Sequence, residues 1–124
     1  MRRRAGIGTR AQAQGVAAES LACAALEADG WTIRARRART KAGEVDVVAE
    51  RDGLLAIVEV KRRPTLAEAA AAIGPRQRAR LLAATEILLA DHPEWGRAGV
   101  RCDVIVVDDA GQVRRIADAF RLEG

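Results

Sequence analysis

Aromatic residues are nearly absent: Trp31, Trp95 and Phe120 are the whole set in a chain of 124 residues, and tyrosine is missing. The core must therefore be packed from Ala, Val, Leu and Ile, and a hydrophobic content of 49% is enough for one domain of ordinary size. Histidine is equally scarce. His92, in Asp91-His92-Pro93-Glu94, stands alone, and one imidazole makes neither a catalytic triad nor a zinc site. Ser20 is the only serine and has no companion base, which removes serine-nucleophile chemistry. Cys23 and Cys102 lie far apart in apolar segments without metal-ligand spacing, and read as buried free thiols of a cytoplasmic protein. No apolar run approaches the length of a membrane span, and the stretch after Arg2-Arg3-Arg4 is no signal-peptide core, so no membrane partner is expected. Lysine is rare too: of 21 basic residues, only Lys41 and Lys61 are lysines.

What the chain does have is arginine. The net charge of +4 and a pI near 10 point to an acidic partner such as nucleic acid. Residues 1–10 read as a basic arm, disordered or in contact with phosphate, ahead of a single domain over 11–124. Ala11 to Ala28 is an alanine-rich helical stretch stopped by Asp29-Gly30. Trp31 to Arg39 reads as a strand, with Trp31, Ile33 and Ala35 alternating against Thr32, Arg34 and Arg36. Leu66 to Ile73 is a further helix or a tethered loop. Pro75 opens a helix running to Ala90, whose first turns carry Arg76, Arg78 and Arg80. Cations there oppose the helix dipole, which is a poor placement unless they meet an anion. Val100 to Val107 is a buried strand, and Gln112 to Ala117 a short edge strand. The order α-β-β-β-α-β-β predicts an α/β fold with a mixed sheet flanked by helices.

The centre of that sheet is a hairpin. Gly43 to Ala49 and Leu54 to Lys61 read as strands around Asp52-Gly53, the strongest two-residue hairpin signal. With that pair at the turn, Asp46 falls opposite Glu59 and Glu44 opposite Lys61. Alternation then puts Asp46, Glu59 and Lys61 on one face, together with Val48 and Ile57. Opposed carboxylates repel by up to about 1 kcal/mol, and a divalent cation removes that problem. The plainer reading is a cross-strand Glu44–Lys61 ion pair on a solvated face.

If the face is a metal site, its hard oxygen donors suit Mg²⁺ or Mn²⁺. Asp46 and Glu59 would be the ligands, with the backbone carbonyl of Val60 as a third oxygen. Lys61 would orient or deprotonate an attacking water, or stabilise charge on a phosphate. Glu19 stands one turn before Cys23 and two before Leu26, so it falls among apolar neighbours and needs a partner. Arg62 and Arg63 after the strand join Arg2, Arg3, Arg4, Arg76, Arg78 and Arg80 as candidate phosphate contacts.

Asp46 followed by Glu59-Val60-Lys61 resembles the D…(D/E)-x-K core of the restriction-endonuclease-like nucleases. The longer strings, Gly43 to Ala49 and Ile57 to Arg63, with Glu19 upstream and Asp103-Val104-Ile105 downstream, resemble the YraN-like family of bacterial proteins from about Gly15 to Phe120. That resemblance implies a restriction-endonuclease-like α/β core related to archaeal Holliday-junction resolvases. It also implies a Mg²⁺-dependent, often dimeric nuclease cleaving branched or structured DNA. Glu19 would be the acidic helix residue, Asp46 and Glu59 the metal ligands and Lys61 the lysine. Val45 departs from the superfamily's proline, and Gln77 and Arg78 from the lysine and polar residue usual in relatives. The other function classes are a nucleic-acid-binding module that keeps the fold without cutting, and a structural or interaction protein.

Overall fold

A computed structural model of the chain describes the backbone of residues 2–65, 67–68 and 74–121, and the side chains of 15–65, 67–68 and 74–116. Most of the stretch expected between Leu66 and Ile73 lies outside the described residues, as do the side chains of Arg2, Arg3 and Arg4. The elements run α1 (Arg2–Ala28), β1 (Thr32–Thr40), β2 (Gly43–Arg51), β3 (Leu54–Arg62), α2 (Pro75–Asp91), β4 (Gly99–Val107) and β5 (Val113–Arg121). This is the α/β order read from the sequence. Residues 2–10, read as a basic arm, are the first part of α1, which begins at Arg2 and contains no proline but does include Gly6 and Gly8. Among the described residues, no helix is long and apolar enough to cross a membrane.

The five strands form one mixed sheet in the order β1-β2-β3-β4-β5. The first three are an antiparallel meander, β3 and β4 pair in parallel across the α2 crossover, and β5 returns antiparallel. At the β2–β3 turn, Asp52 and Gly53 both have positive φ (53° and 80°), as a type I′ turn requires. The ladder runs from Arg51–Leu54 to Val47–Val58, which is the register the turn predicts.

One helix lies on each face. Ala18, Ala22, Cys23 and Leu26 of α1 pack on Val47, Ala49, Ala56, Val58 and Ile105, while Leu81, Ala84 and Leu88 of α2 pack on Val45, Val48, Leu55, Ile57 and Cys102. Strict alternation along β1 and β2 fails. Ile33 belongs to the α1 side, yet Ala35 and Ala38 both belong to the α2 side, and so do Val45 and Val48. Two irregularities account for this. The β1–β2 register shifts between Ile33 and Ala35, and Arg37 adopts a left-handed φ of 51°. Arg37 lies opposite Asp46, because Arg36–Val47 and Ala38–Val45 are the flanking pairs. The two strands change phase together at that step. A left-handed arginine stores strain on the order of 1–3 kcal/mol, so the surrounding contacts must impose it.

The α1 side is closed by an ionic cap over Trp31. Guanidiniums of Arg51, Arg101 and Arg115 sit 4.9, 5.1 and 4.8 Å from the Trp31 ring centroid. Asp103, 1% exposed, pairs with Arg101 at 3.2 Å and Arg115 at 2.8 Å. Arg115 continues to Asp29 at 3.2 Å. The Asp103-Val104-Ile105 string thus supplies a buried counter-ion to this cap.

Candidate active site

Glu19 arrives on the buried face of α1, between Ala18 and Ala22, and is itself 8% exposed. A carboxylate held there needs a cation, and Arg37 Nε donates to its Oε1 at 2.8 Å. The left-handed backbone at Arg37 belongs to the same stretch of β1 that delivers this guanidinium to α1.

Asp46 stands one residue beyond the last ladder pair of the hairpin, where the phase changes. There its Oδ2 accepts the backbone amide of Val60 at 2.8 Å. It lines a hollow of about 350 Å³ with Gly15, Ala18 and Glu19 of α1 and Val60, Arg62 and Arg63 of β3. Burial, then the charge of Glu59 and a hydrogen bond with it, push the Asp46 carboxyl up to about 7, against a small opposing pull from the Val60 amide. The like-charge conflict expected between these two carboxylates is therefore present, but the shared face expected for them is not: Asp46 opens into the α1-side hollow, whereas Glu59 meets α2, because the strands change phase at Asp46.

Glu59 is 3% exposed and lies on the α2 side, beside Ile57 and Leu55 as expected. Three donors converge on one of its oxygens, Oε2: Gln77 Nε2, Arg80 Nη2 at 3.2 Å and Lys61 Nζ at 3.4 Å. Lys61 reaches it because residues two apart on a strand share a face. Lys61 thus lies beside Glu59 as read, in place of the alternative ion pair with Glu44, which meets Arg39 at 3.6 Å.

Gln77 and Arg80 were not marked by sequence reasoning as carboxylate partners. A signal existed. Leu81, Ala84 and Leu88 are the buried stripe of α2, and Gln77 and Arg80 stand one turn before Leu81 and Ala84 on that stripe. Arg80 also donates from Nη1 to the Glu44 carbonyl at 2.6 Å, which spends it on the scaffold rather than on a phosphate. Its path crosses Gly43, where a Cβ would sit 2.9 Å from the Arg80 side chain. Gly43 has to be glycine on that ground and on its φ of 138°. Of the other predicted phosphate contacts, Arg62 pairs with Asp109 at 3.6 Å, and Arg63 and Arg76 are exposed. Arg78 is exposed as well, though it is engaged with neighbouring groups.

Among the described residues, no three carboxylate, histidine or cysteine side chains converge into a ready-made cage. A Mg²⁺-type site needs less than a cage, because it keeps several waters and takes one or two carboxylates. Asp46, Glu59 and the Val60 carbonyl are all hard oxygens. What fits them to a divalent ion is two carboxylates brought together at the end of the hairpin, Asp46 held by the Val60 amide and Glu59 buried one residue before Val60. Burial and the neighbouring charge of Glu59 raise the Asp46 carboxyl, and a divalent charge would relieve that repulsion.

That conflict predicts a pH dependence in metal-free solution. The folded Asp46 binds its proton more tightly than the unfolded one, so stability falls as pH rises from about 4 to about 7 and stays lowered above that. Asp46→Asn should therefore gain on the wild type over this range. The gain should reach about 4 kcal/mol at pH 8 and vanish near pH 4, measured by urea unfolding in EDTA. A stability difference that does not change with pH would show that the fold does not raise the Asp46 carboxyl.

The comparisons with known proteins agree along nearly the whole chain. The profile of the uncharacterised protein family UPF0102 matches residues 18–107. A UPF0102 protein of Granulibacter bethesdensis is 67% identical over 116 residues, covering 94% of this chain and 73% of that one. One from Azorhizobium caulinodans is 51% identical, covering 92% and 87%, and one from Acidiphilium cryptum is 44% identical, covering 98% and 94%. The matched span contains Glu19, Asp46, Glu59, Lys61, Gln77 and Arg80. By both profile and identity, the chain belongs to the UPF0102 family.

Proposed function

We propose that this protein is a metal-dependent endonuclease that hydrolyses phosphodiester bonds in branched or otherwise structured DNA in the cytoplasm. The observation that carries the reading is the half-buried Asp46 carboxyl next to the buried Glu59, with Lys61 beside it. Asp46, Glu59 and the Val60 carbonyl would hold Mg²⁺ or Mn²⁺, which supplies Lewis-acid activation of water and neutralises phosphate charge. The chain's own groups do the rest. Lys61 presents a compact ammonium that hydrogen-bonds the attacking water or a phosphate oxygen as charge develops on it. Gln77 and Arg80 fix Glu59 through Oε2 and leave Oε1 outside those contacts. Glu19, held by Arg37, faces the Asp46 hollow and orients water there.

The convergence of three donors on Glu59 favours a second reading: a DNA-binding module whose carboxylate is already neutralised by its own cations. Mn²⁺ calorimetry, together with a panel of labelled duplex, flap and four-way DNAs, separates the two. The nuclease reading expects Mn²⁺ to bind and the binding to weaken at least about tenfold in Asp46→Asn, with Mn²⁺-dependent cutting lost in the same variant. Metal affinity in the wild type should also fall as pH drops below about 7, where Asp46 takes its proton. Equal Mn²⁺ affinity in wild type and Asp46→Asn would leave only the binding module.

A further inference from the structure

Strand β1 is an edge of the sheet, and it is lined with arginine. Its residues 34, 36, 37 and 39 are all arginine and all exposed, and Lys41 follows in the turn to β2. Arg34 is spent on Glu50 at 2.9 Å. Arg37 is likewise paired, with Glu19 at 2.8 Å, whereas Arg36, Arg39 and Lys41 are not neutralised in the same way. Arg36 meets only the neutral hydroxyl of Ser20, at 3.2 Å. Arg39 is 89% exposed and touches Glu44 loosely at 3.6 Å, and Lys41 has no partner among the described residues.

Charge on an edge strand has an ordinary explanation, because it blocks edge-to-edge aggregation. That explanation needs no particular backbone. Here the backbone is particular: Arg37 is left-handed, and consecutive residues that would point to opposite faces both reach α1, Arg36 at Ser20 and Arg37 at Glu19. The strained step therefore sets two guanidiniums side by side on the α1 side, directly across the ladder from Asp46.

From this arrangement we infer that β1 and its turn form a phosphate-binding edge for duplex nucleic acid, with Arg36, Arg39 and Lys41 as backbone contacts leading up to the carboxylate hollow. Arg36 to Lys41 spans about 17 Å of strand, and each DNA strand offers one phosphate per about 3.4 Å of axis, so the row meets several phosphates. This places the partner on the opposite side of Asp46 from Arg62 and Arg63, and the duplex crosses the site instead of ending at it. The inference shares with the proposed function only the requirement that nucleic acid binds.

The test is fluorescence anisotropy of a labelled duplex and a four-way junction with the full chain in EDTA, across a salt series. Each of Arg36→Ala, Arg39→Ala and Lys41→Ala should make the slope of log K against log salt shallower by about 0.9, and the triple variant by about 2.7. Arg97→Ala, in the exposed loop at the other end of the hairpin, should leave the slope unchanged. A wild-type slope in the triple variant, or no DNA binding at low salt, overturns the inference. DNA bound through β1 but not cut with Mn²⁺ overturns the nuclease reading alone, whereas cutting with an unchanged slope in the triple variant overturns the β1 edge alone.

Discussion

Lys61→Arg is expected to bind DNA within about twofold of the wild type and to cut it at least about 100-fold more slowly. The Lys61 ammonium lies 3.4 Å from Glu59 Oε2, and its side chain is 16% exposed, so it works in a confined space beside a buried carboxylate. A planar guanidinium keeps the charge but presents a wide fork that is always protonated, and Arg80 already occupies the space on the α2 side of Glu59. Binding survives because phosphate attraction is spread over many exposed arginines, whereas the chemistry depends on one ammonium at one position. Lys61→Ala should lose cutting to a similar extent. Single-turnover cleavage with Mn²⁺, measured beside anisotropy on the same DNA, reads both quantities. Activity that survives in Lys61→Ala would assign the cutting to another site or to a contaminant.

The largest stability effect is expected at Asp103. Its carboxylate is the 1% exposed counter-ion of Arg101 and Arg115 above Trp31. Asp103→Ala would leave two guanidiniums packed on an indole without the charge that holds them there. Breaking a buried ion network by removing one partner costs about 3–5 kcal/mol, a large share of the stability of a domain this size. Urea unfolding should show a lower midpoint with an unchanged m-value, and Trp31 fluorescence should shift as the cap loosens. Asp103→Asn keeps one acceptor oxygen but turns the other into an NH2 donor facing a guanidinium, so it should lose stability too, though less than Asp103→Ala. A loss below about 1 kcal/mol in Asp103→Ala would show that the cap is ornamental, with Trp31 held by the apolar core alone.

Much of the fold was legible because its strongest signals are local. Asp52-Gly53 fixes a type I′ turn, the turn fixes the register, and the register brings Glu59 and Asp46 to the same end of the hairpin. Lys61 beside Glu59 follows from strand period alone, and the burial of Glu19 follows from its spacing to Cys23 and Leu26. The unread parts have physical reasons. Nothing announces a left-handed residue at Arg37, since arginine is not among the residues that favour positive φ. Alternation was therefore carried through a step where both strands change phase. The grip of Gln77 and Arg80 on Glu59 joins residues 18 and 21 positions apart across two elements, and no local pattern encodes that. The start of α1 at Arg2 shows the limit of reading a run of arginines as an arm: charge signals solvent exposure, yet arginine is also a good helix former.

The two ladders flanking β3 differ in the chain length they close, and that difference sets an order of assembly. The β2–β3 ladder begins with Arg51 paired to Leu54, whereas every β3–β4 pair joins residues 45 positions apart, beginning with Leu54 and Gly99. Short closures are fast, and long parallel ones wait for most of the chain. During N-to-C synthesis the hairpin is complete before Pro75 to Asp91 can fold onto it. Asp46 and Glu59 therefore meet first as an unclamped, mutually repelling pair. Gln77 and Arg80 reach them only when the crossover helix docks, so the clamped site forms later than the hairpin that carries it.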